Sequence, residues 1–233
     1  MKRPQGRDPG VASRIAPALL GAVLLLAVGC RAPRPSTEIA AAVVAKDQEA
    51  LARLIDAGGS VEEGSPRPIV WAARTGNVAA IALLRQAGAD VNRPDGVNGW
   101  TPLQHAVHKR QAKALGALLD AGADPNAGPS HGPSALMMAA GYGDQATFDL
   151  LIEAGADPSF EVAPGINALW AALGGGAISD ITDGPALGSC FPAIVATLKR
   201  EAPALRIPRD GGTRALRAFA KQSCEALIDS SVG

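Results

Sequence analysis

The chain has 233 residues, of which 47% are hydrophobic but only 3% aromatic, and its 22 basic residues balance its 22 acidic ones. A neutral chain lacks the strong positive field with which proteins hold nucleic acid, so that class of partner is not expected. An apolar fraction made mostly of alanine and leucine favours packed helices over a β-sandwich. The 27 glycines and 18 prolines predict that these helices are short.

Residues 1–29 have the composition of an export signal. Basic residues at the start are followed by a nearly unbroken apolar run from Ile15 to Val28. This order is typical of a secretory signal peptide, and the run is too short to cross ~30 Å of hydrocarbon as a helix. Without these residues, 18 basic and 21 acidic residues remain, which again argues against nucleic acid as a partner.

The signal ends in the tetrapeptide Ala-Val-Gly-Cys at residues 27–30, which resembles the lipobox of bacterial lipoproteins. The resemblance implies that Cys30 is lipidated and becomes the mature N-terminus, although the usual leucine is displaced by one position to Leu26. Arg31 replaces the aspartate of an inner-membrane retention signal, so the resemblance implies an outer-membrane anchor facing the periplasm. Residues 30–37 would form the tether. The alternative is an ordinary signal peptide cut nearby, with Cys30 a bystander.

Two sequence blocks recur in the body of the chain with a period of 34 and then 33 residues. Gly-Ala-Asp-Val-Asn at residues 88–92 returns with small changes at 122–126 and 155–159, each time after a leucine pair. Their glycines predict a left-handed residue just past a helix. Upstream, Thr101 and Pro102 predict a helix start, because threonine caps a helix and proline suits its first position.

The period and these blocks together resemble the ankyrin repeat over about residues 38–205. The resemblance implies an all-α solenoid of about four to five helix-turn-helix repeats with hairpin-like loops. Approximate repeats fall at residues 38–64, 65–98, 99–132, 133–165 and 166–207, the last with an insertion, and residues 208–233 are predicted to form a C-terminal capping helix and tail. Gln104 stands where the family usually has histidine, which should weaken one hydrogen bond between turns.

Two cysteines remain after Cys30, namely Cys190 and Cys224. Exported bacterial proteins mature where disulfides persist, so we predict a disulfide that closes a loop of about 35 residues. The alternative is two buried free thiols.

No pattern in the sequence predicts catalysis. His105 and His108 are three residues apart on a helix and His131 follows in a loop, yet His105 falls at a repeat position expected to face outward. We therefore predict no metal site. The glycine-rich residues 174–176 lack the lysine and hydroxyl residue of a phosphate-binding loop. We expect no catalytic residue, no cofactor and no small-molecule substrate.

By resemblance, the first helices and hairpin tips of an ankyrin stack line a concave surface, which is the family's usual partner-binding face. Tryptophan, tyrosine, arginine and methionine concentrate binding energy at interfaces. The predicted contact stripe consists of Trp71, Arg74, His105, His108, Lys109, Met138 and Tyr142. The alternative is that Trp71 and Met138 pack between repeats.

These features predict an interaction module for an unknown protein partner, tethered by lipid in the bacterial envelope. The alternative is an immunity or inhibitor-type lipoprotein that binds and neutralises a toxic enzyme. A third possibility, an enzyme or metal protein built on a repeat scaffold, depends on the histidines alone.

Overall fold

A computed structural model of the protein describes residues 34–96, 98–129, 131–175, 189–207, 213, 216–217 and 224–233. The predicted signal peptide and Cys30 lie outside the described residues, as do the core of the insertion and most of the predicted capping helix. Residues 35–233 belong to one compact unit.

The described residues form eleven α-helices and no strand. This confirms the all-α solenoid of helix-turn-helix repeats. The helices are α1 Glu38–Ala45, α2 Gln48–Asp56, α3 Pro68–Thr75, α4 Val78–Gln86, α5 Pro102–His108, α6 Ala112–Asp120, α7 Ala135–Tyr142, α8 Gln145–Glu153, α9 Ala168–Gly174, α10 Pro192–Glu201 and α11 Glu225–Asp229.

The first ten helices form five pairs that stack in two layers. The first helices of successive pairs (α1, α3, α5, α7 and α9) each contact the next one, and we call them the inner helices. The second helices (α2, α4, α6, α8 and α10) do the same, and we call them the outer helices. Each repeat therefore buries its apolar faces against its neighbours, as a stack of this kind requires.

The ends of the helices follow from their sequences. Thr101 and Gln104 form a reciprocal capping box at the start of α5, with Pro102 in the first turn. Gly76 and Gly143 separate the helices of their pairs with φ of 68° and 67°. At Gly143 a side chain is also excluded by space, because a Cβ atom would lie 2.2 Å from the Phe191 ring.

Gln104 corrects one expectation. The Nε2 atom of Gln104 donates a hydrogen bond of 2.7 Å to the carbonyl oxygen of Pro133 in the next repeat. Its Oε1 atom accepts from the backbone N–H of Thr101 at 3.0 Å. The expected weakening is therefore wrong, because an amide offers both a donor and an acceptor at this position.

Asparagine side chains connect the turns of the middle repeats. Asn92 accepts a hydrogen bond from the backbone N–H of Asp124 at 2.7 Å and donates to the carbonyl oxygen of Gly122 at 3.2 Å. Asn126 makes the same two bonds to the following turn. Ser159 occupies the third equivalent position, and in the part of the chain that the structure describes its hydrogen bonds stay within its own turn, to Asp157. This ladder of side chains therefore ends at the fifth repeat.

The C-terminal end is held by other contacts. Cys190 and Cys224 are joined by a disulfide, with Cα atoms 5.7 Å apart. The backbone N–H of Ile207 donates to the carbonyl oxygen of Ser231 at 3.0 Å, and Lys199 donates to the hydroxyl of Ser230 at 2.8 Å. These contacts fasten the tail around α11 to the fifth repeat. None of the helices in the described ranges has the length and apolar character needed to cross a membrane.

Candidate partner-binding face on the inner helices

The seven residues of the predicted contact stripe differ in burial. Trp71, His105, Met138 and Tyr142 are buried. The other three retain accessible surface: Arg74 and His108 are half-buried and Lys109 is exposed. Met138 has no surface to offer a partner and Trp71 very little, so both side chains serve mainly to pack the repeats.

His105 does not face outward, which corrects the expectation for its repeat position. Its Nε2 atom lies 2.6 Å from Oδ2 of Asp95, and both side chains are only 2% exposed. Asp95 reaches the helix because the loop before α5 folds back on itself, with the Asp95 N–H donating to the Trp100 carbonyl at 2.8 Å. The loop before α5 thus covers the middle of that helix.

Burial governs the ionisation of His105. Loss of solvent lowers the pKa of His105 from its ordinary value of 6.5, and the nearby Asp95 carboxylate opposes this effect in part. The Nδ1 atom is buried without a hydrogen-bond partner among the described residues. A proton on Nδ1 would leave a buried donor unpaired, which agrees with a neutral ring whose Nε2–H donates to Asp95.

Aromatic rings surround the accessible end of α5. The half-buried Trp100 ring lies 5.5 Å from the His105 ring and 5.2 Å from the His108 ring, measured between centroids. Nδ1 of His108 lies 2.7 Å from the hydroxyl oxygen of Tyr142 on α7. The third and fourth repeats therefore share one continuous group of rings.

Two arginines lie over rings of this region. The guanidinium of Arg74 is 5.4 Å from the centroid of the Trp71 ring, and that of Arg110 is 5.4 Å from the centroid of the Tyr142 ring. At this distance a cation is attracted to the face of a ring. We call the whole set the basic-aromatic cluster: Trp71, Arg74, Trp100, His108, Lys109, Arg110 and Tyr142.

The sequence interpretation missed three residues of this region: Trp100, Arg110 and Asp95. Trp100 and Asp95 precede α5, so no helical spacing relates them to His105, and only the folded-back loop brings them there. Arg110 follows the helix in the turn to α6. A signal for Arg110 did exist, because it ends a run of three basic or titratable residues that begins at His108.

The two layers of helices differ in their content of acidic residues. Four of the five inner helices, α3, α5, α7 and α9, contain no aspartate or glutamate, while α1 begins with Glu38. Four of the outer helices, α2, α6, α8 and α10, do carry carboxylates. These residues are Glu49, Asp56, Asp120, Asp149, Glu153 and Glu201. No group of three or more His, Cys, Asp and Glu side chains able to hold a metal occurs among the described residues.

The chain is similar to known ankyrin-repeat sequences. The family model for ankyrin repeats in three copies matches residues 37–129 and 93–162, which together span more than half of the chain. A segment of 55 residues, 23% of the chain, is 49% identical to the ankyrin repeat protein nuc-2 of Neurospora crassa.

Two further relatives match similar lengths. The 2-5A-dependent ribonuclease of Mus musculus is 33% identical over 89 residues, 35% of the chain, and the ankyrin repeat and SAM domain-containing protein 6 of Rattus norvegicus is 39% identical over 57 residues, 24% of the chain. The matched segments amount to only 5% of nuc-2, 12% of the ribonuclease and 6% of the SAM-domain protein. The similarity therefore concerns the repeats and not the remainder of those proteins.

Proposed function

Since the chain belongs to the ankyrin-repeat family, we propose that it is an exported, lipid-anchored module that binds a protein partner through its inner helices. The observation that carries the proposal is the basic-aromatic cluster. It presents Trp100, Arg74 and Arg110, which are of the residue types that dominate interface energetics, at the ends of helices that are already packed. A preformed surface of this kind loses little conformational entropy when a partner binds.

The contact residues of this proposal are those with accessible surface. Three of them come from the predicted stripe, namely Arg74, His108 and Lys109. We add Trp100, whose ring lies against His108, and Arg110, which lies over Tyr142. The buried Trp71, His105, Met138 and Tyr142 act by holding these side chains in place.

Crosslinking in the host cell, followed by purification of the full chain, tests the proposed face. We expect Trp100→Ala to reduce capture of at least one partner while the helical circular dichroism is retained. Val78→Ala is the matched control, because Val78 is an exposed apolar residue on the outer helix α4. Equal capture of every partner by the wild type and by Trp100→Ala would contradict the proposed face.

The anchor is tested separately. The basic start, apolar run and lipobox-like residues 27–30 support export and attachment through Cys30, and a multi-chain lipid gives stable membrane binding. Cys30→Ala should move the protein from the membrane fraction to the soluble fraction. Membrane association that persists in this variant would exclude the lipid as the tether.

Export also agrees with the Cys190–Cys224 pairing, because disulfides persist in the bacterial periplasm. Protein isolated under non-reducing conditions should take up no alkylating reagent at these two positions until a reductant is added. Labelling of both thiols without a reductant would contradict an oxidised pair.

A further inference from the structure

Resting on the proposed function, we infer that the basic-aromatic cluster holds an acidic segment of the partner, one that presents aspartate or glutamate carboxylates. The inference deepens the proposed function, because it specifies the chemistry of the bound segment. It follows from the positions of three cations in the cluster, Arg74, Lys109 and Arg110, and from the charges around them.

These three cations have no carboxylate within 4.0 Å in the described part of the chain. Arginines at the hairpin loops are matched differently: Arg67 and Arg93 both pair with Glu62, at 3.2 and 3.0 Å. The carboxylate of Asp95, which reaches α5 from the preceding loop, is buried against His105. The positive charge of the cluster is therefore not neutralised by neighbouring acids.

The rings prepare the two arginines for carboxylates. A guanidinium that stacks on an aromatic face leaves the N–H groups at its edge available, and a carboxylate can accept hydrogen bonds from two of them at once. Arg74 has the Trp71 ring as such a face and Arg110 has the Tyr142 ring, with the guanidinium 5.4 Å from the ring centroid in both cases.

The charge is local to this face. The whole chain is neutral, and the part after residue 29 has three more acidic than basic residues. Carboxylates nevertheless are absent from α3, α5, α7 and α9, whereas the outer helices carry both acidic and basic side chains. An acidic segment is therefore attracted to the accessible cations at the ends of α3 and α5, which would orient the partner as it binds.

A pair of charge-matched variants of the full chain tests the inference. The inner variant is Arg74→Glu, Lys109→Glu, Arg110→Glu. The outer variant is Arg53→Glu, Arg85→Glu, Lys113→Glu, three cations that lie on α2, α4 and α6 and are exposed. Both variants change the net charge by the same amount, so only the position of the change differs.

The probes are a fluorescently labelled oligoglutamate peptide and the partner captured by crosslinking. We expect the inner variant to weaken peptide binding by about tenfold or more and the outer variant by less than about threefold. Raising NaCl from about 50 mM to about 500 mM should weaken wild-type binding strongly, because exposed charges are then screened. Circular dichroism of the inner variant and of its glutamine version, Arg74→Gln, Lys109→Gln, Arg110→Gln, is compared with that of the wild type. An unchanged helical signal shows that the loss of peptide binding is not a loss of folding.

Failure of the inference and failure of the proposed function give different results. A partner that is lost with Trp100→Ala but retained by the inner variant would overturn the acidic segment and leave the proposed face intact. Equal weakening by the inner and outer variants would also overturn the inference, because it would reflect net charge alone. A partner unaffected by either the Trp100 or the inner variant would overturn the proposed face itself.

Discussion

The inner and outer helices come from the same repeating unit but differ in what they bury. All eight residues of α7 and all seven of α9 are buried, whereas α4, α6 and α8 each bury only three of nine. The inner helices α3, α5 and α7 each have an inner helix on both sides and an outer helix behind them, while the outer helices leave one face exposed. The inner layer therefore carries the packing of the molecule, and the outer layer carries more charged side chains than the inner layer.

This difference confines the surface that the inner helices can offer. Among the residues of α3, α5, α7 and α9, only Arg74, Thr75 and His108 are not buried, and all three lie at the C-terminal end of their helix. Lys109 and Arg110 extend this end into the following turn. The accessible surface of these four helices therefore lies where they end, and four predictions examine this division.

Removing a large inner side chain should have the largest effect. Met138→Ala deletes a fully buried side chain from α7, and the cavity and lost burial should lower the free energy of unfolding by about 2–5 kcal/mol. Leu150→Ala on α8 is the control, because Leu150 is 37% exposed, and it should cost well under half as much. Urea denaturation measures both. Similar losses of unfolding free energy in the two variants would contradict the proposed difference in packing between the layers.

Loss of the hydrogen bonds made by Gln104 should have a smaller effect. Gln104→Ala leaves the Pro133 carbonyl and the Thr101 N–H without their side-chain partner, which should cost about 1–3 kcal/mol. The matched control is Gln86→Ala, since Gln86 is exposed at the end of the outer helix α4. An unchanged denaturation midpoint for Gln104→Ala would show that this inter-repeat bond contributes nothing.

Acid should weaken the inner layer through His105. Because the pKa of His105 is lowered in the fold, the unfolded chain binds more protons in the range below 6.5. Stability should therefore fall as the pH falls from about 7 toward 5. Thermal unfolding at both pH values should show a smaller fall for His105→Gln than for the wild type. His131→Gln, at an exposed loop position, should behave as the wild type does.

If the stability of His105→Gln falls as much between pH 7 and pH 5 as that of the wild type, groups other than His105 cause the acid sensitivity. The Asp95 carboxylate favours the protonated ring and offsets part of the effect of burial. The single variant Asp95→Asn removes the carboxylate but keeps the buried ring, so that its comparison with His105→Gln separates these two contributions.

The smallest effect is expected on the outer layer. Glu49 and Arg53 form an ion pair of 3.7 Å on α2, with side chains 92% and 70% exposed. Water and salt screen such a pair, so Glu49→Ala should change the free energy of unfolding by no more than about 0.5 kcal/mol. Chemical denaturation at low and high salt measures it. If Glu49→Ala lowers the free energy of unfolding more than Gln104→Ala does, the inner layer does not contribute more to stability than the outer layer, contrary to this prediction.

The amino-acid sequence by itself determined the repeat architecture. Threonine and proline at 101–102 start an inner helix, and the glycines at 76, 88, 122, 143 and 155 end helices at positions with positive φ. These are local preferences of the backbone, repeated at a period of 33 or 34, so they can be read without knowing any contact. The predicted stripe, whose accessible part is Arg74, His108 and Lys109, came from the resemblance to the ankyrin repeat.

Only the tertiary structure decided which side chains of the inner helices meet solvent. His105 is buried because Asp95, ten residues away, bonds to it from a folded-back loop, and Trp100 covers the same helix. Arg110 joins the cluster through Tyr142 of the following repeat. Helical spacing assigns a residue to a face of its helix, but the burial of that face depends on the loop and the neighbouring repeat that pack against it.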